Sequence, residues 1–401
     1  MNVKDMDGCA LAPARRTWVE IIPIALRRAL APFLLSRFAI AMLLALAPAL
    51  ASRPVDAWNR DDGTALRLSA PALRDGVARV AIANDAAWYF SIARDGYDER
   101  PFDTTRQANW AFFPLHPLLW RAAAAITGEW VWSGIAMANM LFLMALCMLW
   151  HLVREHTEQD AVADTAVLFA CIWPSSYFMS LPHTEAIFLL LVATSLLASA
   201  LRAFGVAGIA TALASATRFN GLFLVPSLGL AWWRGDRRAA DLVWLAVAAT
   251  GTAAFAIYLW RATGNPFAFK DIQAAWGRHV TTPWAAIVDY AGHPAKVAVA
   301  WNPRLLHFMS TMLGIASIVT CWRRGWHQIA IFTGLTLLAP LATGTLTSIT
   351  RYLGVAPGLY IALAMWAHER PRLGQALLVA CSMCLALMCA LFAAGFNMAS
   401  A

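Results

Sequence analysis

The stretch GVAGIATALASATRFNGLFLVPSLGLAWW, residues 205–233, decides how the chain is read. A bilayer core takes about 20 apolar residues as one helix, and backbone polar groups inside lipid need partners, so long apolar runs are read as helices. As a single helix this run would be roughly 44 Å long at 1.5 Å per residue, too long for one crossing without strong tilt. The polar interruption TRFNGL at 217–222 predicts two short crossings instead, with Arg218 at the break between them.

Charge placement outside the run supports that split. Arg15, Arg16, Arg27 and Arg28 precede an apolar run at 31–51, and Arg202 follows one at 185–201. These arginines share a side with RGDRR (234–238), Arg323, Arg324 and HERPR (368–372) only if 205–233 crosses twice. Further runs lie at 130–150, 161–180, 239–260, 303–322, 327–344, 352–367 and 373–396. The expectation is an all-α polytopic membrane protein of about eleven transmembrane helices, one integral-membrane domain over residues 1–401, with the N-terminus inside and the C-terminus outside. Residues 1–20 are polar, which reads as no signal peptide and a first span that serves as an anchor. Two large outer loops, 52–129 and 264–302, are joined by shorter outer links at 181–184 and 345–351. No internal repeat is visible, which weighs against the inverted-repeat layout of secondary transporters.

Composition agrees with a membrane chain: 60% hydrophobic, 13% charged, 19 Trp and a mean hydropathy of +0.58. The net charge of +8 comes from arginines beside apolar runs and in one long loop, without a lysine-rich run, so nucleic acid is excluded as a partner and membrane lipids are expected. Of seven cysteines only Cys9 lies outside apolar stretches, so no disulfide framework is expected. Cys381 and Cys384 read as packing residues in a greasy helix rather than as a redox pair or zinc ligands.

The polar residues cluster in the outer segments. In IANDAAWYFSIARDGYD (82–98), Asn84 reads as an N-cap, Ala86–Ala93 as a short amphipathic helix and Gly96 as its stop. Asp85 then lies three and four residues before Trp88 and Tyr89, on the edge of an aromatic surface suited to the membrane interface. From composition alone, Asp85 is either a helix cap or a catalytic acid. NWAFFPLHPLLWR (109–121) brackets His116 between Pro114 and Pro117, where an interfacial histidine is the plain reading. SLPHTEAIFLLL (180–191) puts His183 and Glu185 at the outer mouth of a span. A charge at membrane depth is expensive, so Arg218 calls for a phosphate ligand or for an ion pair with Glu185. Arg351, in TSITRYLGVAP (347–357), reads either as an interfacial anchor or as a second cation at the same surface. GNPFAFKDIQAAWGRHV (264–280) adds Lys270, Trp276 and Arg278.

In this order the motifs NDAAWYFSIARDGYD, AFFPLHPLL, HTEAIFLLL, TRFNGL, GNPFAFKDIQAAWGR and TRYLGVAPGLY resemble those of the PIG-V-like mannosyltransferases, over residues 82–361. That family includes the second mannosyltransferase of glycosylphosphatidylinositol assembly and bacterial relatives. The resemblance implies a GT-C glycosyltransferase fold, a polyprenyl-phosphate-linked sugar donor and a catalytic acid in the first outer loop, at the position of Asp85. The family's Arg-x-Asn-Gly is present as Arg218, Asn220 and Gly221, with Phe219 where a small polar residue is expected. An Ala- and Arg-rich composition suggests a GC-rich bacterium, hence the inner membrane with the site facing the periplasm and a lipid, glycan or protein acceptor of a different kind.

Sugar transfer from a lipid phosphate needs a base for the acceptor hydroxyl and cations for the departing phosphate. Asp85 is expected as the base, and Arg218, Arg351 and Lys270 as the phosphate-binding cations. Trp88, Tyr89, His116, His183, Glu185, Asn220, Trp276 and Arg278 are expected to line the substrate site. No D-x-D pair stands beside Asp85, and the acidic RDD at 60–62 reads as a loop turn, so no metal or other cofactor is expected. The rival reading is a lipid-linked sugar flippase, which would carry cations along a route reaching both faces.

Overall fold

The computed structural model describes residues 18–51, 69–294, 303–344 and 346–396. Cys9, Arg15, Arg16, the RDD at 60–62, the loop portions 52–68 and 295–302, and the C-terminal residues 397–401 lie outside the described residues. No strand occurs among the described residues.

In chain order the helices begin with α1 (Trp18–Ala51), followed in the first loop by α2 (Ala70–Ala81), α3 (Asp85–Asp95) and α4 (Leu115–Thr127). The bundle continues with α5 (Trp130–Thr157), α6 (Asp160–Ile172), α7 (Glu185–Ala200), α8 (Phe204–Thr217), α9 (Leu224–Trp233), α10 (Leu242–Ala248) and α11 (Thr250–Thr263). The second loop carries α12 (Ala268–Asp271) and α13 (Ala285–Gly292). The chain closes with α14 (Arg304–Arg323), α15 (His327–Leu341), α16 (Ile349–Leu353), α17 (Pro357–Glu369) and α18 (Pro371–Ala393). The core forms where α5 and α7 pack together, with α6, α8 and α17 around them.

The expectation of about eleven transmembrane helices is not met. Among the described residues four helices are long and apolar enough to cross a membrane: Pro23–Pro48, Trp130–Thr157, Arg304–Arg323 and Pro371–Ala393. A fifth is added if the pair Ala239–Ala248 and Thr250–Thr263, bent by 42°, is one span. Glu185–Ala200, Phe204–Thr217, Phe219–Trp233 and His327–Leu341 are apolar but shorter than a span. The N-inside, C-outside assignment counted from eleven crossings falls with that count.

Hydropathy failed on helix ends. The run 161–180 stops being α-helical at Ile172, because Pro174 pushes Trp173 into extended backbone (ψ 139°) and a 3₁₀ turn follows at Ser176–Ser180. Arg37, buried in α1, supports that break. Its Nη1 donates to the Ser176 carbonyl (2.9 Å) and the Ser180 hydroxyl (3.0 Å), and its Nη2 to the Cys171 carbonyl and Ser176 Oγ (both 2.9 Å). The carbonyls orphaned at the end of α6 thus gain a charged donor, while Phe142 covers the guanidinium at 4.7 Å. In the same way 352–367 restarts at Pro357 rather than running through, so α17 has only 13 residues.

At 205–233 the chain does break at Arg218, whose backbone is extended (φ −152°, ψ 148°) between α8 and a 3₁₀ turn at Phe219–Phe223. Gly221 lets that turn lie against α8: a Cβ there would sit 2.3 Å from the Ala214 carbonyl carbon and the Ser215 nitrogen. In the first loop Ser69 caps α2 by accepting from the Ala72 N–H at 3.3 Å. Asn84 does not cap α3 as expected. It makes no capping side-chain bond and instead takes a positive φ of 55°, a turn conformation that asparagine tolerates. Gly96 ends α3 as expected, at φ 96°. All described cysteines are free; Cys381 is buried and Cys384 half-buried in α18.

Candidate active site

The first turn of α7 is the hub. Glu185 is only 1% exposed, at a helix N-terminus where a carboxylate is favoured. Its Oε1 accepts from two guanidiniums, Arg218 Nη2 and Arg351 Nε, the latter at 2.5 Å. Arg218 also donates through Nε to Thr184 Oγ1 at 2.6 Å. Arg351 donates through Nη1 to Asp85 Oδ2 at 2.5 Å, and its Nη2 faces His183 Nδ1 at 3.3 Å. Two cations and two carboxylates from four distant segments therefore form one connected network with no formal net charge.

The two arginines are not equivalent. Arg351, 7% exposed, uses Nε, Nη1 and Nη2 and lies 4.3 Å above the Phe178 ring. Its helix is pinned through Thr350, whose Oγ1 meets His307 Nδ1 (2.8 Å) and Ser310 Oγ (2.9 Å) and whose carbonyl accepts from the Trp173 indole (2.8 Å). Arg218 is 16% exposed and its Nη1 makes no hydrogen bond among the described residues. Of the two, Arg218 has the donor left for a ligand.

Asp85 keeps 40% of its side-chain surface open although protein surrounds it. Burial pushes its carboxyl up, but the Arg351 charge and hydrogen bond outweigh burial and hold it below the ordinary value of 3.8. His183 is driven down to about 3 by burial and then by Arg351, so it is neutral at physiological pH. Facing a guanidinium, its Nδ1 accepts and its proton sits on Nε2, a buried atom with no hydrogen-bond partner among the described residues. Glu185 Oε2, Asn220 Nδ2 and His116 Nδ1 are buried and unpartnered in the same way. Burial lowers His116 to about 4; its Nε2 donates to the Pro182 carbonyl at 3.0 Å, which anchors the 181–184 link to α4.

Tyr89 is buried edge-on against His116, ring centroids 5.2 Å apart. Trp88 stacks on Phe112 (5.8 Å), and Trp276 meets both edge-on at 6.0 and 6.1 Å, so the two outer loops close into one aromatic wall beside Asp85. Lys270 is exposed on α12 and makes no side-chain hydrogen bond or ion pair among the described residues. Arg278 is exposed and donates to Gln273 Oε1 at 2.8 Å. The network thus gathers Asp85, His183, Glu185, Arg218 and Arg351, with His116 and Tyr89 beside it and Trp88 and Trp276 in the aromatic wall, while among the described residues no hydrogen bond or ion pair joins Lys270 or Arg278 to it.

Sequence reasoning missed Thr184, Phe178, Phe112 and Arg37. Only Arg37 carried a signal, an arginine inside LLSRFAI in an otherwise apolar helix. Among the described residues no group of three or more His, Cys, Asp or Glu side chains is arranged to hold a metal ion.

No family model matches the chain, and no curated protein matches it. Among solved structures, the apo oligosaccharyltransferase of Archaeoglobus fulgidus is similar at a TM-score of 0.50 and 13% identity, over 92% of this chain and 56% of that one. The oligosaccharyltransferase AglB of the same organism, in complex with an inhibitory peptide and a dolichol-phosphate, gives 0.46 and 12% over 93% and 56%. The chain spans just over half the length of these structures. At that identity the likeness speaks for the fold alone, an all-α, GT-C-like membrane fold.

Proposed function

We propose that the chain is a membrane glycosyltransferase of the PIG-V-like, mannosyl-transferring kind, which moves a sugar from a polyprenyl-phosphate donor to an acceptor hydroxyl with inversion. The observation that carries this reading is the junction of Asp85, Glu185, Arg218 and Arg351. Each comes from a different motif of the resemblance, and together they supply an ionised, partly open carboxylate in one network with a guanidinium that has a free donor. The GT-C-like fold is consistent with it.

In this reaction the acceptor oxygen attacks the anomeric carbon, its proton passes to Asp85, and the bond from that carbon to the phosphate oxygen breaks. The departing polyprenyl phosphate gains one negative charge, which Arg218 meets through its unused Nη1. Arg351 acts through its neighbours: it keeps Asp85 ionised, and once Asp85 takes the proton, the charge of Arg351 is released towards the phosphate. Glu185 holds both guanidiniums in register, and His183 Nε2–H is a donor for a sugar or phosphate oxygen. The wall of Trp88, Phe112 and Trp276 suits a sugar face or an interfacial lipid. Lys270 and Arg278 are outlying cations for the donor phosphate as it approaches from the second loop.

The site is proposed to face the periplasm of a bacterial inner membrane. Arg202, Arg234, Arg323 and Arg324 gather at the end of the bundle away from Glu185, and arginine-rich ends favour the inner side. The test is the purified chain in proteoliposomes with a panel of polyprenyl-phosphate sugars, read by release of free polyprenyl phosphate. Release from the mannosyl donor supports the reading; no release from any donor, with and without candidate acceptors, counts against it.

A further inference from the structure

The far end of α7 borders a second cavity. Ala200, on its rim, lies 15 residues beyond Glu185, roughly 22 Å at 1.5 Å per residue, so the two places are separate. The cavity measures about 150 Å³, and His156, Ser199, Arg202, Arg234, Trp326 and Gln328 are among its lining residues. A single water needs only about 10–15 Å³, so a tetrahedral oxyanion has room.

The lining is almost entirely a set of donors. Arg202 uses only Nη1, on the Ala231 carbonyl at 2.5 Å, and leaves Nε and Nη2 without a partner among the described residues. Arg234 uses only Nη1, 2.7 Å from His327 Nδ1, an atom that also lies 2.6 Å from the Gly325 carbonyl, and leaves Nε and Nη2 without a partner among the described residues. The Ser199 hydroxyl donates to the Leu196 carbonyl at 2.9 Å and lies 3.3 Å from the Gln328 side-chain amide, whose NH₂ makes no other hydrogen bond among the described residues. The indole N–H of Trp326 makes no hydrogen bond among the described residues, and its ring is fixed edge-on by His156 at 5.7 Å. No Asp or Glu lines the cavity, and neither arginine has an ion-pair partner among the described residues.

Arg202 and Arg234 are exposed like the other arginines nearby, and they differ in lining one concavity with no carboxylate beside them. Nearby on the same segment, Arg238 pairs with Asp236 at 3.7 Å and Arg237 lies on the Trp233 ring at 4.0 Å, both out in solvent. Arg202 and Arg234 instead converge on one concavity, where their like charges repel and no acid offsets them. An oxyanion placed between them removes the repulsion and takes up the free guanidinium donors, whose planar forks match phosphate oxygens two at a time.

We propose that this cavity binds a phosphate oxyanion, with Arg202 and Arg234 as its clamp and the Trp326 indole and Gln328 amide as orienting donors. Lipid headgroups and soluble phosphate share this chemistry, and the experiment separates them. The full-length chain is reconstituted in nanodiscs of phosphatidylcholine, or of phosphatidylcholine with phosphatidylglycerol. The first is titrated with inorganic phosphate by calorimetry; from the second the protein is released and retained phosphatidylglycerol is counted by native mass spectrometry. Arg234→Gln is the test variant, because Arg234 is exposed and its loss removes only the bond to His327. Arg238→Gln, outside the cavity, is the control.

Retained phosphatidylglycerol that drops roughly tenfold in Arg234→Gln and not in Arg238→Gln identifies a lipid phosphate. Saturable phosphate binding weakened about as much in Arg234→Gln alone identifies a soluble anion. Absence of both signals in the wild-type chain, or equal loss in the two variants, overturns the proposal. The readout is binding, so it stands or falls independently of glycosyl transfer at the other end.

Discussion

Asp85→Asn separates catalysis from folding at the network. Asparagine keeps an oxygen that accepts from Arg351 Nη1, so the change turns an ion pair into a guanidinium–amide bond that still falls at about 1.5–3 kcal/mol, the range for bonds to charged groups. The stability loss is then about 1 kcal/mol or less, because Asp85 keeps 40% of its surface open and solvent screens the pair. In the proposed reaction the same change removes the proton acceptor, worth about 10² to 10⁴ in rate, or about 2.7–5.4 kcal/mol in the barrier. Release of polyprenyl phosphate should fall by that factor while donor binding and the melting temperature barely move. Glu185→Gln is the contrast: Glu185 is buried and is the one carboxylate paired with Arg218 among the described residues, so its neutralisation should cost about 3–5 kcal/mol and show as misfolding. The measurements are turnover, donor binding and thermal unfolding of each variant in the same lipid. Turnover of Asp85→Asn within roughly threefold of wild type, at equal expression, would refute the base assignment and leave Asp85 a structural partner of Arg351.

Three further outcomes follow from the same geometry. With Arg351 present the Asp85 carboxyl lies below its ordinary value of 3.8, so its ionised form is lost only as pH falls below the usual carboxylate range; Arg351→Gln leaves burial dominant, which raises the carboxyl and should move the acid limb of kcat/KM towards neutral pH. An unmoved limb would dissociate Arg351 from the base. Arg218→Ala should raise the donor KM by roughly tenfold to a hundredfold, more than it lowers stability, and failure of Arg218→Lys to restore it would point to the guanidinium fork rather than charge alone. Gly221→Ala should destabilise by about 1–3 kcal/mol in thermal unfolding, since the atoms 2.3 Å from the new Cβ are backbone and cannot swing away.

What the sequence disclosed depended on whether the signal was local. The break at Arg218 was legible because an arginine and an Asn-Gly interrupt an apolar run, and the end of α3 because Gly96 takes a φ that other residues avoid. The number of spans was not legible, because hydropathy is blind to what covers a residue. α7 is apolar on every face and looks like a lipid-facing span, yet protein covers it on nearly all sides, and 16 residues cover only about 24 Å. Of the pairs in the network, Arg218 with Glu185 was foreseeable as a charge seeking its opposite at membrane depth. Arg351 with Asp85 was not: 266 residues separate them, and the packing of α16 against α14 and α15, with the Trp173 indole on the Thr350 carbonyl, fixes where Arg351 stands.

The two ends of α7 use arginine in opposite ways. At the Glu185 end each guanidinium is matched by a carboxylate, so the network carries no formal net charge, and Arg218 offers a phosphate one free donor rather than a bare charge. A neutral network of this kind gains cationic character only when Asp85 is protonated, the moment at which the proposed leaving phosphate acquires its extra charge. The electrostatic stabilisation is therefore stronger for the departing group than for the bound donor, which is what rate acceleration requires. At the Ala200 end no carboxylate intervenes, and Arg202 and Arg234 present their charge permanently, the condition for the proposed resident binding rather than for turnover.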